Sequence, residues 1–144
     1  MIREITYEEC LPLWQLLWAG RVSPIEPTSS MALPFNVNVR EYTQNIGKPT
    51  FLGYFDGEVL VGVNSYHAVD QLCRSRGLYV LGSHRKQGIG EGLLRATIER
   101  SPRHVWSYPK MEALPVYLKA GFIETGPPVF DAVEDKTNQY VCSF

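Results

Sequence analysis

Residues 78–94, LYVLGSHRKQGIGEGLL, change character twice in a short span. Leu78–Leu81 is apolar and rich in β-formers, as expected of a strand. A basic, glycine-spaced turn follows. Beyond it Ile89, Leu93, Leu94, Thr97 and Ile98 recur on one face of a helix that Pro102 brings to an end. A helix start carries unbonded N–H groups and a partial positive charge, which suit an anion. Gly88 and Gly90 let a phosphate lie against backbone that a Cβ would fend off. Arg85 and Lys86 add fixed positive charge at the rim. A plainer reading is that the glycines only allow a tight strand-to-helix turn.

The common nucleotide motifs do not fit. A Walker loop counted from Gly82 puts Gln87 where the second glycine belongs, and no Lys-Ser or Lys-Thr follows Gly88. Gly88, Gly90 and Gly92 give G-x-G-x-G rather than the G-x-G-x-x-G of dinucleotide-binding turns.

Outward from this turn, the elements alternate in type. IREI near the start reads as a strand. Thr6 with Glu9 reads as a capping box for a helix carrying Cys10, Leu13, Trp14, Leu17 and Trp18 on one side and ending near Gly20. RVSPIEPTSSMALPF holds three prolines and reads as a long loop, and NVREYTQNIG as a short second helix. PTFLGYF and EVLVGVNSYHAV, joined by Asp56-Gly57, form a hairpin pattern. RGLYVL is the strand that leads into the turn, and HVWSY is a further strand. EALPVYLKAGF is a short helix with Pro115 in its first turn and Gly121 at its end. FIETG and QYVCSF close the chain as strands around a loop from Gly126 to about Asn138. The order predicts an α/β mixture on a mostly antiparallel sheet.

At 144 residues the chain reads as one domain, 1–144, with 44% hydrophobic and 20% charged residues. A net charge of −1 argues against a broad basic field for nucleic acid. Cys10, Cys73 and Cys142 are odd in number and far apart, with neither zinc spacing nor a disulfide framework. The run CLPLWQLLWAG is too short to span a bilayer and follows acidic residues, so neither a signal peptide nor a membrane span is read there. The expectation is a cytoplasmic protein with reduced thiols, no metal, no nucleic-acid or membrane partner, acting as a monomer or homodimer.

Two segments carry a family resemblance. Arg85, Gly88 and Gly90 satisfy [RQ]-x-x-G-x-[GA] directly after a strand and at the opening of a helix. Ala113, Tyr117, Gly121 and Phe122 satisfy A-x-x-x-Y-x-x-x-G-F further on. In this order and spacing the chain resembles the GNAT superfamily of N-acetyltransferases over nearly its whole length. It departs from the family's usual pattern at Lys110, where asparagine is frequent, and at Gly82, where proline is common.

The resemblance implies a mixed, mostly antiparallel sheet of about six to seven strands flanked by about four helices. It implies an acetyl-coenzyme A-dependent N-acetyltransferase that moves acetyl directly from the thioester to a primary amine of a small molecule or peptide. Leu78, Tyr79 and Val80 would bond the pantetheine arm through their backbone. Arg85, Lys86, Gln87, Gly88, Ile89, Gly90 and Glu91 would hold the pyrophosphate, and Tyr117 would serve the leaving sulfur. Tyr117 also reads as an ordinary core tyrosine.

A general base is not legible: His67, Glu26, Asp70 or a water chain are the candidates. The loop after the first helix, with Glu26, is a candidate wall of the acceptor site, as are Trp14, Trp18, Tyr42 and Tyr66. The loop carrying Asp131, Glu134 and Asp135 is another. Glu26 hints at a cationic acceptor, although a solvated loop carboxylate is an equal reading. Two other functions use the same residues: a non-catalytic acyl-coenzyme A-binding module, and a nucleotide module reading phosphate through the glycine turn alone. Neither the acceptor nor the acyl length is encoded in a motif.

Overall fold

The computed structural model describes residues 1–19, 49–69, 71–132 and 135–143. The expected second helix with Tyr42, the loop with Glu26, and also Asp70 and Glu134 lie outside them, as does the Trp18 side chain.

Strand β1 (Ile2–Ile5) leads into helix α1 (Tyr7–Trp18) through the expected capping box. Thr6 Oγ1 accepts from the Glu9 N–H at 3.1 Å, and the Glu9 carboxylate accepts from the Thr6 N–H at 3.0 Å. Two of the donors that a helix start leaves open are thereby satisfied. Strands β2 (Thr50–Asp56) and β3 (Val59–Val69) form the hairpin, with Gly57 at φ +61° in its turn.

Strand β4 (Leu72–Val80) begins four residues earlier than its apolar pattern suggests. Its first half carries Arg74, Ser75 and Arg76, which read as polar and yet are all buried. After the turn come helix α2 (Ile89–Arg100), strand β5 (Val105–Ser107) and helix α3 (Leu114–Lys119). Strands β6 (Ile123–Glu124) and β9 (Val141–Cys142) complete a seven-stranded sheet in the order β1-β2-β3-β4-β5-β9-β6. Every pairing in it is antiparallel except β4 with β5.

The stretch from Gly126 to Asn138 is not a plain loop. It holds a separate hairpin of β7 (Val129–Asp131) and β8 (Lys136–Asn138). The hairpin is tied down by Asn138 Nδ2 donating to the Tyr108 carbonyl at 2.9 Å and by the Met111 N–H donating to the Thr137 carbonyl at 3.0 Å.

The sheet separates two packed layers. On one side α2 and α3 cover Cys73, Val105, Leu52, Val61 and Val141, with Ile89, Leu93, Leu94, Leu114 and Tyr117 as the helical contribution. On the other, α1 places Cys10, Leu13 and Trp14 on Ile5, Phe51 and Val63. Burial at 20–33 cal/mol per Å² of apolar surface makes these layers the main source of stability. Three α-helices stand among the described residues. None of the helices described is long and apolar enough to cross a membrane. Cys10, Cys73 and Cys142 are buried and unbridged, and burial pushes the Cys10 thiol up to about 12.

Candidate active site

Two irregularities in β4 create the site. Val63 faces Tyr79 and Ser65 faces Arg76, so β4 spends three residues where β3 spends two. This bulge contains Gly77 at φ +89°. A Cβ at Gly77 would sit 1.9 Å from the Trp14 ring, so glycine lets α1 lie directly on the bulge. The second irregularity is a fork. β4 and β5 pair only at Cys73↔Val105 and Arg74↔Trp106, after which β4 runs on alone along that edge. Ser107, the last residue of β5, donates from Oγ to the Ser75 carbonyl at 2.8 Å across the mouth of the fork.

Beyond the fork the side chains of β4 alternate. Leu78 and Val80 pack on the α2 side and Tyr79 on the α1 side, so all three are held by their side chains and present backbone along the open edge. The chain then passes through a short 3-10 turn (Gly82–His84), in which His84 bridges Ser83 and Asp56 at 2.8 and 2.9 Å. Arg85, Lys86, Gln87 and Gly88 follow, all exposed.

Lys86 and Gly88 both have left-handed φ, +62° and +79°, and Gly88 is the N-cap of α2. No side chain caps that helix start, and nothing lies within 4 Å of where a Gly88 Cβ would point. The turn is open backbone with helix N–H groups at its end, as an anion site requires. Ile89 is buried and Gly90 packs closely, its virtual Cβ 3.4 Å from Val116 Cγ1. Both can therefore meet a ligand only through backbone.

Two charged residues in the turn have structural work as well. Arg85 Nε donates to the Val80 carbonyl at 3.0 Å, with its guanidinium 5.5 Å from the Tyr79 ring centre, which braces the end of β4. The Glu91 carboxylate takes two bonds from Arg95, at 3.1 and 2.9 Å. Arg95 also donates to the Lys119 carbonyl at 2.5 Å, fastening α2 to the end of α3.

That fastening brings Tyr117 to the fork. Its ring packs edge-on against Phe122 at 5.5 Å. Gly121, at φ +107°, ends the helix between them. Tyr117 is 5% exposed and belongs to the core cluster, so the core reading of this residue holds. Ser107, at the mouth of the fork, and Arg74 are the polar groups that act on its hydroxyl. Burial holds the phenol above its usual range, opposed by Ser107 and by the charge of Arg74. Tyr117 therefore stays protonated at neutral pH. Ser107 and Arg74 carried no motif: a serine ending a three-residue strand has no pattern of its own.

The opposite face of the fork is cationic and aromatic. Arg74 stacks on Trp106 at 4.2 Å, and Arg76 lies 6.0 Å from Trp14. His67 faces Arg74 across the strand pair and is 2% exposed. Burial, then Arg76, then Arg74 push its pKa down to about 3, so it is a weak base. Tyr66, opposite Ser75, packs on the α2 side rather than on this wall. Among the described residues no group of three His, Cys, Asp or Glu could hold a metal ion.

The comparisons with known proteins agree with this geometry. A sequence model of the acetyltransferase (GNAT) domain matches residues 47–124, which run from before β2 to the end of β6. The chain belongs to the GNAT acetyltransferase family. No curated protein matches it in sequence.

Solved structures share the fold along the full length at low identity. An acetyltransferase from Bacillus subtilis in complex with CoA is 17% identical, with TM-score 0.64, covering 98% of this chain and 95% of that one. IAA acetyltransferase from Bacillus cereus is 15% identical at TM-score 0.67, covering 99% and 97%. ElaA of Escherichia coli is 13% identical at TM-score 0.66, covering 100% and 99%. At such identity the likeness is one of fold. This GNAT chain carries its two family segments on the turn at the end of β4 and on the short helix α3 that holds Tyr117.

Proposed function

We propose that this GNAT protein transfers an acetyl group from acetyl-coenzyme A directly to a primary amine of a small molecule or peptide. The observation that carries this reading is that one short path along β4 joins an uncapped phosphate-type turn to a protonated tyrosine at a strand fork.

The residues present fit the co-substrate. The backbone of Lys86–Glu91 would receive the pyrophosphate, where the open space at Gly88 admits it. The edge of β4 at Leu78, Tyr79 and Val80 would take the pantetheine arm as an added strand, with the Val80 carbonyl already occupied by Arg85. Acetyl-coenzyme A supplies an activated acyl group and a thiolate leaving group.

The chain's own residues do the rest. The fork between β4 and β5 orients the thioester beside Tyr117. Tyr117, kept protonated by its burial, gives a proton or a strong hydrogen bond to the departing sulfur. The amine must attack in its neutral form. With His67 held as a weak base, Glu26, Asp70 and water are the candidates left to take the proton of the amine.

Thermal stabilisation tests the binding half without a known acceptor. Acetyl-coenzyme A is expected to raise the melting temperature of the wild type well beyond the rise given by adenosine diphosphate. Gly88→Glu, which puts a carboxylate into the turn, is expected to remove that rise. Equal stabilisation by both ligands would favour the bare nucleotide module, and no stabilisation by either would end the acetyltransferase reading.

A further inference from the structure

We propose that His84 is a positioning residue for the co-substrate: it holds the anion turn in its receptive shape by joining it to Asp56 of the β2–β3 hairpin. This rests on the acetyltransferase reading above and names the side chains on which the phosphate half of that site depends.

The sheet register brings the hairpin and the turn together. Gly62 of β3 pairs with Val80, the last residue of β4, and the Leu81 N–H donates to the Val61 carbonyl at 2.9 Å. The start of β3 and the Asp56-Gly57 turn therefore run on past the end of β4, at the same end of the sheet as the anion turn. From Gly82 to Gly88 every residue is exposed except His84, which is half-buried. Its Nε2 meets Asp56 Oδ2 at 2.9 Å, and its Nδ1 meets Ser83 Oγ at 2.8 Å. A carboxylate only accepts, so Nε2 carries the hydrogen. With both ring nitrogens engaged, the imidazole has one orientation, and the backbone at residue 84 is held with it.

The backbone that follows needs such a hold. Lys86 has φ +62°, a conformation that a residue with a Cβ keeps only where its surroundings impose it. Among the described residues, two side chains tie this stretch to the rest of the protein. Arg85 returns to the Val80 carbonyl of the strand it follows, whereas His84 crosses to a separate hairpin. The crossing bond is the one that fixes the turn against the sheet. A backbone anion site works only if its N–H groups already point inward, so fixing the turn contributes to affinity.

The charge of Asp56 separates this role from simple electrostatics. A carboxylate beside an anion site opposes the anion, so as a mere charge Asp56 would weaken binding and its removal would strengthen it. As the partner of His84 it has the opposite effect. Asparagine at this position drops the charge and keeps an oxygen that accepts from Nε2–H.

The test is titration calorimetry with acetyl-coenzyme A on wild type, His84→Ala, Asp56→Ala, Asp56→Asn and the double alanine variant, with the ligand-free melting temperature of each recorded alongside. His84→Ala and Asp56→Ala are each expected to raise the Kd about threefold to tenfold. That is the range for an ordinary hydrogen bond, taken because the Asp56 side chain is 68% exposed and water screens its charge. Asp56→Asn is expected to recover most of the loss, and the double variant to bind no more weakly than His84→Ala alone.

Tighter or unchanged binding by Asp56→Ala overturns the inference, because Asp56 then acts as a charge or not at all. So does wild-type affinity in His84→Ala, and so do losses that add in the double variant. Each of these leaves the acetyltransferase reading standing. If His84→Ala fails to fold, the contrast between Asp56→Ala and Asp56→Asn decides alone. Absence of acetyl-coenzyme A binding by the wild type removes the acetyltransferase reading and this inference together.

Discussion

The two faces of the sheet were built under different rules. On the α2 and α3 side, backbone does the recognising in the function proposed above. Glycines open the turn, an edge of β4 runs unpaired past the fork, and Tyr117 reaches the fork from a helix clamped by Arg95. On the α1 side, side chains dominate: two arginines, a neutral histidine and a run of aromatic rings. Backbone recognition demands glycine and fixed spacing, so it leaves a motif in the sequence. Side-chain recognition demands only that certain residues meet, and so it leaves none. In the proposed function the first face is the one that takes the co-substrate.

The sharpest way to break this division is Tyr117→Phe. If the hydroxyl serves the leaving sulfur, acetyl transfer is expected to fall about a hundredfold or more, as for other lost proton donors. Stabilisation by acetyl-coenzyme A should persist, because the backbone turn is untouched. Activity near that of wild type would return Tyr117 to the core alone and would favour a binding module.

Gly77→Ala probes the seam between the faces. The new methyl group would collide with the Trp14 ring at a positive φ, so α1 must shift or the bulge must unwind. A loss of about 3 kcal/mol is expected, from overpacking and backbone strain together, read as a lower melting temperature. A variant as stable as wild type would mean that Trp14 does not rest on the bulge.

The pH dependence of stability comes from the α1 side. His67 is held well below its ordinary 6.5, at about 3, so between those values the unfolded chain binds a proton that the folded chain refuses. Its contribution to stability is therefore complete above about pH 6.5 and declines as pH falls, by up to about 1.4 kcal/mol per pH unit. Denaturant midpoints from pH 7 to pH 4 should fall less steeply in His67→Gln than in wild type. Parallel slopes would place the acid sensitivity elsewhere.

The smallest effect belongs to the ordered helix that follows the turn. Gly92 lies inside α2, and a Cβ there would meet only Ile2 Cδ1 at 3.6 Å, an ordinary contact. Gly92→Ala is expected to raise stability by about 0.5–1 kcal/mol through the unfolded state, without altering stabilisation by acetyl-coenzyme A. A loss of that stabilisation would show that a third glycine belongs to the anion site.

Much of the fold was legible because local chemistry and tertiary structure asked for the same residues. The Thr6–Glu9 box, the Asp56-Gly57 turn and the apolar face of α2 are each set within a few residues of chain. Two readings needed correction. β4 starts at Leu72, because Arg74 and Arg76 are buried by stacking on tryptophans from β5 and α1 that no local pattern reveals. The β7–β8 hairpin has three-residue strands without alternation, and it holds its shape partly by bonding to Tyr108 and Met111. Tyr66, a candidate for the acceptor wall, packs with the α2 layer through its parity on β3.

From the sequence alone came the family, the order of elements, the glycine turn and the identity of Tyr117, all of which depend on residues close together along the chain. The tertiary structure decided where β4 and β5 part, and that the Ser107 hydroxyl spans the mouth of that fork to the Ser75 carbonyl. It also decided that Arg74, Arg76 and His67 share one buried wall. Those facts depend on strand register and on which face each side chain takes, and a one-residue shift in pairing would reverse them.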